Sequence, residues 1–251
     1  MKVVITGTFQ GIGLAIKEVF RAAGHQICAA DSAYDTVRQK NETGEPEYTF
    51  KVDVSKRDEV EAFVKEAGAL MGGIDVVINN AGFGGPRRPM EEFTDDEWHR
   101  VHAINLDAPY FMIRAALPYL RKSAVPSIIN IVTTSVKTGL PYRLPYVTSK
   151  SALLALTTTL ARELGPDRIR VNAIHPGAIE NERGEFLLKT RAERMGVTPE
   201  EALKYRLGFV SLRTRMKPED IAEMALFLSG PKANKVTGQA IAVDGNVEWE
   251  D

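Results

Sequence analysis

Two repeating patterns of apolar positions alternate along the chain. Short β-branched runs that end at glycine or a polar residue predict buried strands, and apolar residues spaced three or four apart predict amphipathic helices. The predicted strands are KVVITG, HQICAAD, YTFKVDV, IDVVINNAG, PSIINIV, RIRVNAIHPG and GQAIAVDG. The predicted helices are GIGLAIKEVFRAAG, RDEVEAFVKEAGALMG, residues 95–121, residues 145–164 and KPEDIAEMALFLSG. Only a short helix fits between the second and third strands. Such alternation predicts a parallel sheet with helices on both faces, which binds ligands at the carboxyl ends of its strands.

Composition and charge narrow the class of protein. The chain has 251 residues, of which 44% are hydrophobic and 26% are charged, as is usual for a soluble globular protein. An α/β fold of this length forms one domain, and the sequence has no repeat or linker-like break, so we predict one domain over residues 1–251. The formal net charge is -1, without a long run of one sign, which argues against nucleic acid or a membrane surface as partner.

Cysteine usage and the amino-terminal sequence indicate the compartment. The single cysteine, Cys28, has no partner for an intrachain disulfide, which favours a reducing, cytoplasmic environment. The first strand begins at Lys2, which leaves no room for a signal peptide, and no apolar run is long enough to span a bilayer. We therefore expect a cytoplasmic protein.

A glycine-rich turn, ITGTFQGIG, joins the first predicted strand to the first helix. Gly7, Gly11 and Gly13 are spaced G-x-x-x-G-x-G, and glycines here let the backbone turn sharply and approach a pyrophosphate. The amino terminus of the following helix adds unpaired N–H groups and partial positive charge. A glycine-rich turn alone is weak evidence, but its position directly after the first strand strengthens the prediction of a phosphate site.

Asp31 ends the second predicted strand, in CAAD. A carboxylate there hydrogen-bonds the adenosine ribose hydroxyls of NAD and repels the 2′-phosphate of NADP. The alternative is a turn or helix-cap residue, which is common for Asp after a strand. Gln10 is uncharged, so no basic residue in the glycine turn favours a 2′-phosphate. Arg38 is seven residues past Asp31 and favours NADP only if the chain folds back. Together these residues favour NAD.

The order and spacing of further motifs resemble one family, the short-chain dehydrogenases/reductases, from residue 2 to about residue 245. The motifs are TG-x-x-x-GIG at 6–13, Asp53-Val54, NNAG at 79–82, Asn105, YVTSK at 146–150, PGAI at 176–179 and GQAIAVDG. The resemblance implies a single-domain, Rossmann-type, doubly wound parallel sheet of about seven strands, a nicotinamide cofactor, and usually a homodimer or homotetramer. It implies cofactor contacts from Gly7, Phe9, Gln10, Gly11, Ile12, Gly13, Asp31, Asp53, Val54, Asn80, Ala81, Gly82, Tyr146, Lys150, Pro176, Gly177 and Ile179.

Tyr146 and Lys150 lie four residues apart, which places them on one face of a helix. The resemblance implies that Tyr146 exchanges the proton at the substrate oxygen, and that Lys150 holds the nicotinamide ribose and lowers the tyrosine pKa. Moving a tyrosine pKa from about 10 to about 7 requires roughly 4 kcal/mol, within reach of a nearby ammonium plus an oxidised nicotinamide ring. The alternative is an exposed helix face with a snorkelling lysine. Tyr142 has no lysine four residues later.

Two more side chains have both a functional and a structural interpretation. By resemblance, Asn105 binds a water that links Lys150 to solvent, and Asp53 accepts a hydrogen bond from the adenine amino group. Alternatively, Asn105 satisfies a helix kink. Asp53 could instead cap the next helix, although Ser55 already fits that position.

The sequence departs from the family pattern at the substrate-binding serine. The family places this serine thirteen residues before the tyrosine, and Thr133 occupies that position here. Its hydroxyl can make the same hydrogen bond, with an added methyl group in the pocket. Ser135 takes the role if the loop is two residues shorter. We favour Thr133, because IINIV matches the preceding strand without a gap.

A second departure follows PGAI, where the family has a threonine that contacts the nicotinamide carboxamide. This chain reads ENERGEFLL instead, so that role is vacant, while Ile179 still fits a backbone contact. Residues 180–212 are predicted to form a substrate lid, and TPEEALKYRL is predicted to be a helix capped by Thr198 and Glu201. The lid's basic residues are Arg183, Lys189, Arg191, Arg194, Lys204 and Arg206. One interpretation is that these residues form a solvated face. The alternative is that one or two of the arginines bind an anionic substrate, together with Arg87, Arg88 and Arg143.

The four histidines have no metal-like spacing. His99 and His102 lie three apart on a helix without a supporting carboxylate pattern, and His175 is interpreted as a packed residue at a strand end. We predict no metal site.

These observations predict an NAD-dependent oxidoreductase that moves a hydride between the cofactor and a secondary alcohol or ketone. Tyr146, Lys150, Thr133 and Asn105 are its catalytic residues. One alternative is an NADPH-dependent carbonyl reductase of the 3-oxoacyl thioester type, which Asp31 disfavours. Another is a cofactor-sensing protein without turnover, which the Tyr146–Lys150 pair disfavours. The sequence does not identify the small-molecule substrate.

Overall fold

Parallel strands form the centre of the molecule in the computed structural model, which describes residues 1–35, 37–40 and 46–248. The strands are β1 Lys2–Thr6, β2 Gln26–Asp31, β3 Val37–Lys40, β4 Pro46–Lys51, β5 Val76–Asn79, β6 Ser127–Ile131, β7 Arg170–Pro176 and β8 Ala240–Val243. They form one sheet in the order β3-β4-β2-β1-β5-β6-β7-β8, and every neighbouring pair except β3–β4 is parallel. The predicted doubly wound, Rossmann-type sheet of seven parallel strands is therefore confirmed.

Strand β3 corrects the prediction of a short helix between the second and third predicted strands. Residues Val37–Lys40 instead pair antiparallel with β4, with Val37 opposite Thr49. Without this strand, β4 would be the sheet edge and would present unpaired backbone N–H and C=O groups. An antiparallel return satisfies those groups, and this gain outweighs the local preference for a helical turn.

Helices cover both faces of the sheet. They are α1 Gly11–Ala22, α2 Arg57–Met71, α3 Asp95–His102, α4 Ala108–Leu120, α5 Ser135–Thr138, α6 Leu144–Glu163, α7 Glu182–Met195, α8 Pro199–Leu207 and α9 Pro218–Ser229. Helices α1 and α9 pack on one face, and α2, α4 and α6 pack on the other. The sheet packs against both layers of helices, because successive side chains of a strand point to opposite faces of the sheet. Val3 and Ile5 contact the α1–α9 layer, whereas Val4 contacts the α2–α4–α6 layer.

The helix predicted over residues 95–121 contains an irregular turn. Helix α3 continues into a π-helical turn, Ala103–Asp107, and then into α4. A π turn inserts one extra residue into a helix and is frequent at functional sites. Here it contains Asn105, whose side chain is fully buried.

Helices α7 and α8 form a pair outside the sheet. The segment after α8 bridges to the segment after β8 at Val210 and Val247, and the chain before and after the pair is also joined directly. Met216 N donates to Ala178 O at 2.8 Å, and Glu180 N donates to Met216 O at 2.8 Å, which joins the two ends of the excursion. The helices pack on each other through Leu188, Ala192, Ala202 and Leu203. The predicted cap of α8 is confirmed, since Thr198 and Glu201 form a reciprocal capping box.

Cys28 lies fully buried in β2. Burial raises the pKa of its thiol to about 12, with a smaller contribution from Glu66, so the thiol stays protonated and unreactive at neutral pH. Within the described ranges, no helix is both long and apolar enough to cross a membrane.

Candidate active site

A cleft of about 940 Å³ opens at the carboxyl ends of the central strands, the position expected for a doubly wound sheet. Its volume is within the usual range for small-molecule sites. The predicted site residues that line it are Gly7, Gln10, Gly11, Ile12, Gly13, Asp31, Asn80, Ala81, Gly82, Thr133, Tyr146, Lys150, Pro176, Gly177 and Ile179. Segments from six places in the sequence therefore meet in one cavity.

Four predicted site residues lie outside the walls of this cleft. Phe9 is 51% exposed and packs edge-on against Tyr34. Asp53 and Val54 follow β4, beyond Asp31, and Asn105 is fully buried. Fifteen of the predicted site residues therefore line the cleft, and these four do not.

The glycine turn brings two backbone segments into close contact. Gly7 and Gly11 have φ angles of +71° and +60°, which only glycine adopts readily. A methyl group on Gly7 would lie 2.7 Å from the Cα of Ala81, and one on Gly13 would collide with the Gly7 carbonyl oxygen. Asn80 fixes the turn, because its Nδ2 donates to Thr6 O at 3.1 Å and to Gly7 O at 2.7 Å.

The amino terminus of α1 presents its backbone N–H groups toward this cleft. The first turn of α1, Gly-Ile-Gly-Leu, carries no acidic residue. The side chain of Gln10, which precedes the helix, makes no capping hydrogen bond to it. The first N–H groups of a helix have no intrahelical partner and carry partial positive charge. The glycine turn and this helix end therefore fit a phosphate or pyrophosphate group.

Asp31 lines the cleft at the end of β2 and also organises the local backbone. Its Oδ2 accepts from Phe9 N at 3.1 Å, and its Oδ1 accepts from Ala33 N at 3.0 Å. The turn role considered for Asp31 is therefore present. Each carboxylate oxygen can still accept a further hydrogen bond, so this role does not exclude contact with a ribose hydroxyl.

Asp53 is held by the turn that precedes α2. Its Oδ1 accepts from Ser55 N at 3.0 Å and from Ser55 Oγ at 2.7 Å. These bonds, led by the one from the hydroxyl, lower the pKa of the Asp53 carboxyl. Lys56 rather than Ser55 precedes the helix, so the interpretation of Ser55 as its cap was wrong. The Ser55 hydroxyl bonds backward to Asp53 instead.

Tyr146 and Lys150 lie on one face of α6 and both line the cleft. Lys150 is only 3% exposed, and its Nζ donates to Ile131 O at 2.7 Å. A snorkelling lysine keeps its ammonium in water, so the structure excludes that alternative. The ammonium is instead held at the end of β6, inside the site.

Asn105 connects the loop after β5 to the helix that carries Tyr146. Its Oδ1 accepts from Phe83 N at 2.8 Å, and its Nδ2 donates to Phe83 O at 3.0 Å and Ser149 Oγ at 3.0 Å. Ser149 Oγ donates in turn to Tyr146 O at 2.8 Å. The Asn105 side chain therefore joins the π turn to the loop after β5 and to α6.

Asn105 also lies beside Lys150. A methyl group on Gly82 would lie 3.4 Å from Lys150 Nζ and 3.5 Å from Asn105 Oδ1. Lys150 Nζ and Asn105 Oδ1 therefore both border Gly82. A side chain larger than that of glycine at this position would occupy the space between these two atoms.

Thr133 and Ser135 are brought together rather than separated. Their hydroxyl oxygens are 3.2 Å apart, and both residues line the cleft. Thr133 Oγ1 accepts from Ser135 N at 3.3 Å and donates its own proton to Ser135 Oγ. Both candidates for the substrate-orienting hydroxyl therefore lie at the cleft.

His175 forms a hydrogen bond with the backbone of Thr133. It is fully buried in β7, and its Nδ1 lies 2.9 Å from Thr133 O. Burial is the main cause that lowers the pKa of its imidazole. A packed residue at a strand end was predicted here, and the structure agrees. Among the described residues, no group of three His, Cys, Asp or Glu side chains is placed to hold a metal ion.

Asn181 is a cleft residue that sequence reasoning missed. It lines the cleft and caps α7, with Oδ1 accepting from Gly184 N at 2.8 Å. A methyl group on Gly11 would lie 3.5 Å from its Nδ2, so the start of α7 faces the glycine turn. Asn is a preferred residue at the start of a helix, which was the available signal. Its position falls in the segment ENERGEFLL, where the expected threonine is absent.

Two arginines considered as anion ligands bind within the protein. Arg143 donates to Gly84 O at 2.8 Å and Gly85 O at 2.6 Å, and Arg88 pairs with Glu97 at 3.1 Å. Arg206 lines the cleft.

Comparison with known proteins shows the family. The family model described as Enoyl-(Acyl carrier protein) reductase matches residues 7–247. The probable galactose dehydrogenase GalD of Rhizobium meliloti is 30% identical, over 98% of this chain and 94% of its own. The 3-oxoacyl-[acyl-carrier-protein] reductase FabG of Thermotoga maritima is 31% identical, over 97% of this chain and 96% of its own.

A solved structure shows the same fold. The blue fluorescent protein from a metagenomic library, in complex with NADPH, is 29% identical, with a TM-score of 0.79 over 97% of this chain and 96% of its own. The names of these three proteins differ, although their identities to this chain are nearly equal. The similarity therefore shows an oxidoreductase class and a nicotinamide-binding fold, without selecting a substrate or one of the two cofactors.

The buried imidazole of His175 makes stability depend on pH. Its pKa lies below the ordinary value of 6.5, so the unfolded chain takes up a proton at higher pH than the folded protein does. The free energy of unfolding should therefore fall as pH falls below about 6.5, until the folded pKa is passed. His175→Gln should flatten this decline in urea denaturation measured between about pH 7.5 and pH 5.

His25 provides a matched comparison, since burial also lowers its pKa. His25→Gln should remove a separate part of the decline. An unchanged pH dependence in His175→Gln would contradict the assignment.

Proposed function

The chain belongs to the short-chain dehydrogenase/reductase family, and on this premise we propose that it transfers a hydride between NAD(H) and a secondary alcohol or ketone. One observation carries the proposal. Tyr146 and the buried Lys150 occupy one face of α6 in the same cleft as the glycine turn. A proton-transfer group and a phosphate-binding turn in one cavity are the two parts that such a reaction needs.

The cofactor is proposed to bind across the carboxyl ends of β1 and β2. Gly7, Gly11 and Gly13 leave room for its pyrophosphate at the amino terminus of α1, and the Asp31 carboxylate accepts from the ribose hydroxyls. We propose that Asp53, Val54 and Phe9 contribute at the adenine end, because Val52 N donates to Asp31 O at 3.1 Å and keeps that segment beside Asp31. When bound, the nicotinamide supplies or accepts the hydride.

Tyr146 is proposed to handle the proton at the substrate oxygen. In oxidation its oxygen takes the hydroxyl proton of the alcohol, and in reduction its phenol donates a proton to the carbonyl oxygen. A nearby ammonium favours the charged form of a phenol, and Lys150 supplies that charge. The Thr133 hydroxyl is proposed to turn its proton from Ser135 Oγ to the substrate oxygen when substrate binds, while its own oxygen keeps the bond from Ser135 N.

Asn105 is proposed to complete a relay that returns the proton to solvent. Its amide borders Gly82 together with Lys150 Nζ, so one bound water could bridge the two groups. Its bonds to Phe83 and Ser149 keep the amide oriented during turnover.

The α7–α8 pair is proposed to act as the substrate lid over residues 180–212. Gly184, Leu187 and Arg206 of this pair line the cleft beside the catalytic residues. The pair lies outside the sheet between two attachments, the bridge of Ile179 to Met216 and the bridge of Val210 to Val247, so we propose that α7 and α8 shift between these two points. Closure would exclude water from the site.

We also propose a cytoplasmic homodimer or homotetramer. The buried, protonated thiol of Cys28 is compatible with a reducing compartment. The family resemblance supports the oligomer, and α4 presents the aromatic ring of Tyr110, which is 46% exposed, on the outer surface.

The proton-transfer role predicts the effect of removing one hydroxyl. Tyr146→Phe should fold and bind NAD normally, while turnover falls by at least about a hundredfold. Tyr110→Phe is the matched control, because its hydroxyl accepts from Arg114 at 3.3 Å on the outer surface. Steady-state kinetics with a panel of secondary alcohols, beside NAD binding by fluorescence, measures both. Near-normal turnover of Tyr146→Phe would refute the mechanism.

The carboxylate of Asp31 predicts the cofactor preference. The unmodified enzyme should prefer NAD over NADP in kcat/KM, and Asp31→Asn should narrow the preference by at least about tenfold, because it removes the charge that repels a 2′-phosphate. Asp58→Asn changes the net charge equally at a side chain that is 97% exposed, and should have no effect. Equal kcat/KM for NAD and NADP in the unmodified enzyme would exclude the NAD assignment.

The paired hydroxyls of Thr133 and Ser135 predict unequal contributions. Thr133→Val keeps the shape of the side chain and should lower kcat about a hundred- to a thousandfold, as expected for losing a donor to a developing charge. Ser135→Ala should cost less than about tenfold. Because the hydroxyls contact each other at 3.2 Å, the double variant should show a non-additive loss. The opposite ranking would assign substrate orientation to Ser135.

A further inference from the structure

The guanidinium group of Arg143 joins two segments of the cleft wall that are far apart in the sequence. Its Nη1 donates to Gly84 O at 2.8 Å and to Gly85 O at 2.6 Å. Both carbonyl groups belong to the loop after β5, whereas Arg143 is the residue directly before α6. Gly84, Arg143 and Tyr146 all line the cleft. The two bonds therefore lie at the wall that carries the proposed proton-transfer residue.

Arg143 occupies a position that local helix preferences disfavour. The residue before the first turn of a helix is preferentially Ser, Thr, Asp or Asn, whose side chain accepts from the first N–H groups. The Arg143 side chain makes no capping bond to α6. Its positive charge also opposes the partial positive charge at the amino terminus of a helix. The stability of α6 alone does not account for an arginine at this position, whereas the bonds to the loop after β5 do.

A backbone hydrogen bond holds the same two segments together. Arg88 N donates to Tyr142 O at 3.1 Å. Tyr142 has a φ angle of +65°, which is a rare backbone conformation for a bulky residue. Such a conformation persists only where the surrounding contacts hold it, and it is frequent at active sites. The conformation of the chain before α6 therefore depends on its contacts with the loop after β5.

The loop after β5 depends in turn on side chains from other elements. Gly84 and Gly85 have no side chains that could anchor it. Phe83 is held by Asn105, whose amide bonds to both the backbone N–H and the carbonyl of Phe83. A methyl group on Gly85 would lie 2.8 Å from Val101 Cγ2, so the loop passes close to α3. Three consecutive residues of the loop are therefore bonded by side chains of the π turn and of the residue before α6.

Tyr146 lies between two points at which its helix is fixed. Lys150 follows it by four residues, and the Lys150 ammonium donates to Ile131 O at 2.7 Å. Arg143 precedes it by three residues and binds the loop after β5. Val147 N donates to Arg143 O at 3.0 Å, so the Arg143 backbone takes part in the first turn of α6. Lys150 therefore holds the helix on one side of the phenol along the chain, and Arg143 holds it on the other.

We propose that Arg143 is a positioning residue for the reaction, because it ties the first turn of α6, and with it the phenol of Tyr146, to the loop after β5. The proposal rests on the proposed function and adds a residue to its machinery. The guanidinium group does not take part in proton or hydride transfer. It acts by holding the Tyr146 oxygen where the substrate oxygen meets it, and a displacement of about 1 Å at such a position costs up to about a hundredfold in rate.

Two substitutions separate the hydrogen bonds of Arg143 from its bulk. Arg143→Met keeps an unbranched stem without donors, and its kcat should fall about ten- to a hundredfold. Both bonds come from one nitrogen, so the single ammonium group of Arg143→Lys can replace them, and kcat should recover to within about fivefold of the unmodified value. The KM for NAD should stay within about twofold in both variants, because the glycine turn follows β1 and Asp31 ends β2.

Steady-state kinetics with NAD and a secondary alcohol measures both variants. A kcat of Arg143→Met within about threefold of the unmodified value would overturn the positioning role, since a displaced phenol costs more than that. An equal loss in Arg143→Met and Arg143→Lys would also overturn it, because the bonds to the two carbonyl groups would then not be the cause.

Arg88→Met is the charge-matched control. It removes one positive charge from the same loop, where the Arg88 side chain pairs with Glu97 at 3.1 Å, and it keeps the backbone bond to Tyr142. Its kcat should stay within about twofold of the unmodified value, as expected for an ion pair near the surface. A loss as large as that of Arg143→Met would mean that charge rather than position explains the effect, and would overturn the proposal.

Amide hydrogen exchange measures the tie without turnover. Arg143→Met should speed exchange at least about tenfold in peptides that cover residues 83–88 and 142–147, whereas Arg143→Lys should not. Peptides from β1 and α1 should exchange at unchanged rates. Unchanged exchange in the two segments would overturn the proposal, and so would an equal increase in β1 and α1, which would indicate general destabilisation.

The kinetic assay separates this proposal from the proposed function. Turnover by the unmodified enzyme that Arg143→Met retains in full would overturn the positioning role alone. Absence of turnover by the unmodified enzyme with every secondary alcohol and ketone would refute the proposed function, and the positioning role would fall with it.

Discussion

The hydrogen bond from the Lys150 ammonium to the carbonyl oxygen of Ile131, 2.7 Å long, is the constraint on which the site depends. A buried ammonium is costly unless it is bonded, so the bond fixes both the side chain and the helix that carries it. Ile131 ends β6, and Thr133 follows it by two residues. One strand end therefore sets the position of Lys150 on α6 and of the Thr133 hydroxyl in the cleft. Because Tyr146 is one turn away on the same helix, its position follows from the same bond.

Two buried polar residues reinforce this arrangement from opposite sides. The Asn105 amide ties the Phe83 backbone to Ser149, and Ser149 bonds to the Tyr146 carbonyl oxygen. His175 holds the carbonyl of Thr133 from the neighbouring strand β7. Each of these bonds joins elements far apart in sequence, and buried polar groups that are satisfied in this way favour a single arrangement of the surrounding core. This arrangement requires an irregular π turn between α3 and α4. It also buries the imidazole of His175, which disfavours its charged form.

Features that depend on residues close together in the sequence were predicted correctly. The alternation of strands and helices fixed the parallel sheet, and the i, i+4 spacing placed Tyr146 and Lys150 on one face. Features that depend on distant partners were missed. Strand β3 depends on its pairing with β4, and the π turn contains Asn105, which bonds to Phe83, 22 residues away. Asn181 was overlooked because its position opposite Gly11 depends on how α7 leaves the sheet.

The α7–α8 pair lies outside the sheet, so its sequence can change while the residues at the strand ends keep their positions. The chain before and after the pair is joined by backbone bonds between Met216 and the Ala178–Glu180 segment, and the residues after α8 pair with the segment after β8, so both helices lie outside the sheet. The glycine turn, Asp31 and Lys150 lie on the sheet and on α6, outside the pair. Relatives with the names of a galactose dehydrogenase and a 3-oxoacyl-[acyl-carrier-protein] reductase match nearly the whole chain at 30% and 31% identity, as this separation allows. Changes at the residues of α7 and α8 that line the cleft, such as Leu187 and Arg206, can therefore alter the cleft wall without altering the residues at the strand ends.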